Sequence, residues 1–457
     1  MGKKQKSLKD VSAVRLIVFS FLFIVIFGAS ILYMPFCSRG YSYTSFIDAL
    51  FTATSATCVT GLVVFDTFTK WTIVGQIVII LLIQLGGLGI ITFTTGATLL
   101  LRGKLDIRDL QIAKEHTNGK VLDVSKLIKV ILIWTFACES IGALALAIRF
   151  VPEYGTYGIW QAVFTAISAY CNAGFEIMGF ITPGESFTHY VSDPLVCVTI
   201  SLLIISGGIG FIVISDIGSC ISKKWKNNKS HPHLKLHSIL VLIMTSILLV
   251  VGTVLFLLFE YDNTLKDLTF AEKINASFFQ SASLRTAGFF SIPIGMLKDI
   301  SKILSIVLMF IGASPASTGG GIKTTTFIII IIVIISILKG REDAIVLRHK
   351  IAKSTVYKSI AIVGLSLFFV TSIVSAINVL EENIPLIDIV YEVVSAFSTT
   401  GLTVGITTSL NDISKILLSI AMFIGRVGPI SLILAVTIKQ QKRGSEKILP
   451  ESQVVVG

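Results

Sequence analysis

A chain of 457 residues that is 53% hydrophobic and only 14% charged, with a mean hydropathy of +0.85, is too apolar for a soluble globular domain. Its net charge of +11 at pH 7 would suit nucleic acid, but most of its 38 lysines and arginines fall in short segments between apolar runs. The composition sets aside a nucleic-acid-binding module and reads as an all-α integral membrane protein whose solvent is the lipid bilayer.

About 20 helical residues cross roughly 30 Å of hydrocarbon. Runs of that order occur near 14–34, 72–101, 127–151, 192–221, 236–260, 301–338, 357–380 and 412–438. Eight transmembrane helices are predicted. The first is retained, because its apolar stretch exceeds that of a signal peptide and no small-residue cleavage site follows. The basic segments are the N-terminal tail, 102–129, 222–235, 339–358 and the C-terminal tail, and by the positive-inside rule all five belong to the cytosol. Each pair of spans must then leave the cytosol and return, so that both termini are cytosolic.

Between the two spans of each pair lies one of four related motifs: "TCVTGL" at 57–62, "YCNAGF" at 170–175, "LRTAGF" at 284–289 and "STTGL" at 398–402. Their glycines, Gly61, Gly174, Gly288 and Gly401, are separated by 113, 114 and 113 residues. Upstream positions match as well. Phe51, Phe164, Phe278 and Tyr391 stand ten residues before the glycine, Ser55, Ser168, Ala282 and Ser395 six before, and Asp48, Gln161, Asn275 and Asp388 thirteen before. A fixed period of this size marks a duplicated structural unit, which divides the chain into 1–101, 102–221, 222–338 and 339–457.

The stretches 46–57, 159–170, 273–284 and 386–397 are too short to cross a bilayer and apolar enough to be buried, the profile of re-entrant pore helices. A polar residue thirteen before the glycine suits a helix start. The opposite end of each helix then turns its partial negative charge toward the bilayer centre, where it stabilises a cation. Irregular backbone at that depth must be buried in protein or face a water-filled cavity. Four such loops around a pseudo-fourfold axis make rings of carbonyl oxygens able to replace an ion's hydration shell. The predicted filter comprises Cys58, Val59, Thr60 and Gly61; Cys171, Asn172, Ala173 and Gly174; Arg285, Thr286, Ala287 and Gly288; and Ser398, Thr399, Thr400 and Gly401. The ion is expected at the carbonyls of each glycine and of the residue before it. Close helix packing is the competing reason for such glycines.

The second span of each unit carries a small-residue cluster: "LGGLG" at 85–89, "SGGIG" at 206–210, "GASPASTGGG" at 312–321 and "GRVG" at 425–428. Packing or bending sites are expected. The third cluster cannot continue a helix, so 301–338 reads as two half-helices joined by a loop at mid-membrane. This loop, with Gly312, Ser314, Pro315, Ser317, Gly319, Gly320, Gly321 and Lys323, is the candidate gate. "GGGIKTTT" does not make a phosphate loop, since Ile322 interrupts the Gly-Lys-Thr order. A basic residue at the bilayer centre costs roughly 2.5–3.5 kcal/mol, so Arg426 must face a cavity or a partner. It either latches the 312–321 loop through carbonyls or pairs with an acid such as Glu139 or Asp216. Arg285 is expected to point away from the lumen, toward acids such as Glu392.

The six cysteines have neither metal-ligand spacing nor the pattern of a disulfide framework. No nucleophile–base pair suggests an enzyme, and no cofactor is expected. No span has the basic periodicity of a voltage sensor, and an even number of spans per unit makes the units parallel, unlike inverted-repeat transporters.

Four span–pore helix–span units, "SLRTAGF", "GASPASTGGGIKTTTF" and the late "GRVGP" resemble the Trk/Ktr/HKT superfamily of cation transporters over essentially the whole chain. The absence of an extra helix pair makes it most similar to the membrane subunits of bacterial Ktr potassium uptake systems. The resemblance implies potassium uptake across a bacterial plasma membrane, with sodium as a possible modulator. It also implies a homodimer on a cytosolic ring of KtrA-type nucleotide-binding subunits, with the 312–321 loop as gate and Arg426 as its partner. Gly61, where sodium-preferring relatives carry serine, argues for potassium. A Trk/HKT-like channel of mixed potassium and sodium permeability, working without a regulatory ring, is the alternative.

Overall fold

The computed structural model describes residues 13–102, 124–226, 233–341 and 343–437. It is mostly helical. The first loop's Arg108, Lys114 and Lys120 and the apolar C-terminal tail lie outside the described residues, as do most of the two tails assigned to the cytosol.

Four short helices, Phe46–Cys58, Thr156–Tyr170, Phe270–Ser283 and Leu386–Ser398, contain most of the four stretches expected to be re-entrant. Their capping residues are not those at the thirteenth position. Ser45 caps the first, accepting from the Ile47 amide at 3.3 Å, and Thr269 and Glu272 cap the third, the carboxylate accepting from the Thr269 amide at 2.8 Å. Gly155, at φ 62°, begins the second, and Pro385 the fourth. Asp48 and Asp388 stand in the first turns of their helices, as expected, whereas Gln161 and Asn275 fall in the second turns of theirs.

Among the described residues three helices are long and apolar enough to cross a membrane: Ile128–Tyr154, Leu236–Glu260 and Lys353–Leu380. Val18–Leu32, Ile73–Gly89 and Thr324–Leu338 are shorter apolar helices. The second spans of all four units are interrupted, not only the third. The first is kinked at Gly89 (φ 75°), and the second bends by 92° between Pro194–Gly208 and Phe211–Ser222. The third is split into Asp299–Phe310 and Thr324–Leu338, and the fourth into Asp412–Val427 and Pro429–Thr437 about Gly428 (φ 89°). In the runs 72–101, 192–221 and 412–438 the bends fall at the small-residue clusters where packing or bending was expected. Hydropathy does not register the break, because glycine interrupts a helix without interrupting an apolar run.

The core is arranged so that each short helix is shared by two units. Phe51, Cys58 and Leu62 of the first unit pack with Tyr391, Phe397 and Leu402 of the fourth. Phe279 and Phe289 of the third pack in the cluster of Phe164, Tyr170 and Phe187 of the second. Large apolar side chains such as Phe23, Ile133, Leu144, Val250 and Phe368 stand more than half exposed on the outer helical faces, a surface suited to lipid rather than water.

Candidate cation filter and gate

Each short helix ends in the same backbone device. Two residues before the glycine, Val59, Asn172, Thr286 and Thr399 have φ of 57°, 59°, 72° and 53°, and the glycines themselves have 98°, 69°, 84° and 88°. The residue between turns its amide back to the helix: Thr60 to Ser55 O, Ala173 to Ser168 O and Thr400 to Ser395 O, each at 2.8 Å, and Ala287 to Ser283 O at 2.9 Å. The serine six before the glycine adds a second tie. Ser55 and Ser395 hydroxyls accept from the Gly61 and Gly401 amides at 3.0 and 3.1 Å, and Ser168 donates to Phe175 O at 2.7 Å. In the third unit, where the sequence has Ala282, the neighbouring Ser283 donates to Phe289 O instead.

The turns meet in a closed ring. A Cβ added to Gly61 would stand 2.6 Å from the Ala173 carbonyl oxygen; one on Gly174, 2.8 Å from Ala287 O; one on Gly288, 2.5 Å from Thr400 O; and one on Gly401, 2.0 Å from Thr60 O. The order returns to its starting point. The amide of the residue before each glycine is taken by the scaffold, while no described residue donates a hydrogen bond to the carbonyls of Thr60, Gly61, Ala173, Gly174, Ala287, Gly288, Thr400 or Gly401. The residue preceding each glycine is fully buried. Buried carbonyls without a donor are costly, and the ring brings those of Thr60, Ala173, Ala287 and Thr400 each against a neighbouring turn's glycine, where a positively charged partner would offset the cost.

The first glycine of three small-residue clusters lets the second span press against the end of a short helix. A Cβ on Gly86, Gly207 or Gly425 would lie 1.9, 1.9 or 1.6 Å from the carbonyl oxygen of Thr57, Tyr170 or Phe397. In the third unit Gly312 faces Gly320 O instead, and residues 311–323 form a loop beside the short-helix ends that lead into the turns. Ser314 N donates to Gly208 O at 3.1 Å, and Phe211 N to Ala316 O at 2.7 Å. Thr318 Oγ1 donates to Tyr170 O at 3.1 Å. Gly319 and Gly320 lie against the side chains of Thr286 and Thr399, so close that a Cβ on either would clash. Ser317 Oγ bonds Ser314 O at 2.6 Å, and Lys323 Nζ closes the loop on Gly319 O at 2.8 Å. Pro315 stands with its carbonyl against Gly210.

Arg426 donates to the carbonyls of Thr318 and Gly86. Neither acid considered for it is its partner: Glu139 accepts from Gln84 Nε2 at 3.0 Å, and Asp216 from Lys235 N and Ser238 Oγ at 2.9 and 2.6 Å. Arg285 does not meet the acid expected for it. Its side chain is buried beside Ile204, Ile205 and Gly208, while Glu392 is taken by the Thr403 and Thr407 hydroxyls. Sequence reasoning missed two ion pairs. Asp48 meets Lys415 at 2.8 Å and Asp388 meets Lys302 at 2.7 Å, with all four side chains 10–16% exposed. The available signal was that both lysines stand 14 residues after a filter-motif glycine.

The fold and the ring define a multi-pass helical membrane protein, and the chain belongs to the TrkH family of cation transport proteins, whose model matches residues 12–448. It resembles Ktr system potassium uptake protein B of Bacillus subtilis, with 37% identity over 447 residues, covering 97% of this chain and 96% of that one. Its namesake in Vibrio alginolyticus is 38% identical over 423 residues, 92% of this chain and 90% of that one. The potassium/sodium uptake protein NtpJ of Enterococcus hirae is 37% identical over 465 residues, 99% of both chains. The crystal structure of the potassium transporter TrkH from Vibrio parahaemolyticus superposes with a TM-score of 0.71 at 17% identity, covering 95% of this chain and 87% of that one, a likeness of fold. These relatives are transporters, not enzymes.

Proposed function

We propose that this chain is the potassium-translocating membrane subunit of a Ktr-type uptake system, a homodimer in a bacterial plasma membrane with both termini cytosolic. The observation that carries the reading is the closed ring of Gly61, Gly174, Gly288 and Gly401 with its eight donor-free carbonyls. Potassium sheds water at this ring and is held by carbonyls of each glycine and the residue before it. The short helices direct their negative ends to the same place. Inward movement follows the membrane potential, which contributes about 2.3 kcal/mol per charge per 100 mV.

The loop 312–321, with Lys323 and Arg426, gates the path. Its closeness to the Thr286 and Thr399 side chains supports this reading, as does Arg426, which ties it to the first unit through Thr318 O and Gly86 O. A cytosolic nucleotide-binding ring opens the path by shifting these contacts. Gly61 is the residue on which selectivity is tested: in liposomes holding the purified protein, Gly61→Ser is expected to lower the ratio of potassium to sodium flux. An unchanged ratio would remove Gly61 from the filter. Both ions are measured because the Enterococcus relative is named for both.

A further inference from the structure

At the end of helix Ile128–Tyr154, where the chain turns into the second short helix, a cavity of about 560 Å³ opens. Its wall holds Arg149, Glu153, Tyr154, His189, Tyr190 and Asp193, none of which belongs to the ring or the loop. Arg149 Nε pairs with Asp193 at 2.8 Å. The Tyr154 and Tyr190 hydroxyls donate to the two oxygens of Glu153 at 2.7 and 3.0 Å. The polar groups are thus a guanidinium paired with Asp193 and, four residues on along the same helix, a carboxylate that accepts from two phenols.

Two apolar stripes run from this cavity along neighbouring helices. On one helix Ile148, Leu144 and Ile141 are 68, 69 and 68% exposed, and on the adjacent Pro194–Gly208 helix Leu195, Val198 and Leu202 are 40, 39 and 58% exposed. The helices stay paired along this length, since the Arg149–Asp193 bridge joins them at the cavity and Gly142 abuts Leu203 farther along. Two aliphatic tracks converging on a polar cavity flanked by tyrosines match the shape of a two-chain lipid at a membrane boundary.

We propose that this cavity binds the headgroup of a phospholipid carrying a free ammonium group, its phosphate on Arg149, its ammonium on Glu153, and its acyl chains along the two stripes. Charge selects the headgroup. Two carboxylates, Glu153 and Asp193, face one guanidinium, which disfavours a purely anionic lipid, and the Glu153 oxygens accept hydrogen bonds that an ammonium donates and a trimethylammonium does not.

The test is native mass spectrometry of the full chain with phosphatidylethanolamine, phosphatidylcholine and phosphatidylglycerol of matched acyl chains. Phosphatidylethanolamine is expected to be retained over the other two. Glu153→Gln should reduce its advantage over phosphatidylcholine roughly tenfold, the value of one charge-assisted bond, and Arg149→Gln should weaken all three. Equal retention by the wild type, preference for phosphatidylglycerol, or an unchanged preference in Glu153→Gln would overturn the proposal. Glu153→Gln leaves the Arg149–Asp193 bridge intact and decides the matter even if Arg149→Gln does not fold. Lipid retention is read without any flux, so its failure leaves the pore reading standing.

Discussion

Adding one methyl group to each ring glycine should damage ion passage in an order set by the gap each turn leaves for its neighbour. At Gly401 the new Cβ would stand 2.0 Å from Thr60 O and 2.8 Å from Gly61 Cα; at Gly174 the nearest atom, Ala287 O, is 2.8 Å away. Ordinary contact needs about 3.5 Å, so the first turn must withdraw by roughly 1.5 Å in Gly401→Ala, and the third by about half that in Gly174→Ala. Both substitutions also force a non-glycine residue into positive φ, which costs on the order of 1–2 kcal/mol. That cost is shared, so the difference between the variants reports the clash. Displaced oxygens hold the ion less well, and each 1.4 kcal/mol lost is about tenfold in affinity. Potassium uptake by proteoliposomes, measured against concentration, should show an apparent affinity at least tenfold weaker in Gly401→Ala than in Gly174→Ala. Equal effects, or the reverse order, would refute the convergence of the four turns as the cause.

Arg426→Ala removes both donors from Thr318 O and Gly86 O and should raise potassium flux in liposomes lacking any soluble partner; Arg426→Lys, without the planar fork, should fall between. No gain in flux removes the gate assignment. Lys415→Met leaves Asp48 buried without its partner and should destabilise the protein by about 3 kcal/mol, seen as a lower thermal midpoint in detergent, whereas Lys415→Met combined with Asp48→Asn should recover most of it. Burial, reinforced by the Asp66 carboxylate, pushes the Glu176 carboxyl up to about 8 from 4.5. The unfolded chain releases this proton at lower pH than the folded one, so stability falls as pH rises from about 4.5 to 8, and Glu176→Gln should flatten that slope.

What could be read from the sequence was what repeats locally. A period of 113–114 residues exposed the four glycines, and the positions six and ten before them exposed the helix that precedes each. Those helices are found where the short apolar stretches lie, because a stretch of that length and composition has few alternatives at membrane depth. Choice of partner is a different quantity. Asp48 and Lys415 are 367 positions apart, and nothing in the local pattern of either distinguishes a helix-start carboxylate from one that reaches the last unit. Arg285 was legible as a buried charge but not in its surroundings, since the acid expected for it is held by threonines 403 and 407.

The two ion pairs also say why the units are alike but not identical. Lys415 of the fourth unit holds Asp48 of the first, and Lys302 of the third holds Asp388 of the fourth, the same contact displaced by one unit. At the other two junctions the carboxylate is replaced by Gln161 and Asn275, so the charged fastening is confined to one half of the ring. The loop and Arg426 lie within the units that are pinned, with Thr318 reaching the second unit through Tyr170 O. For the gating proposed above, buried bridges on both sides of the fourth unit would be costly to break, so any rearrangement is expected at the second unit's two junctions, where Gln161 and Asn275 replace the carboxylate.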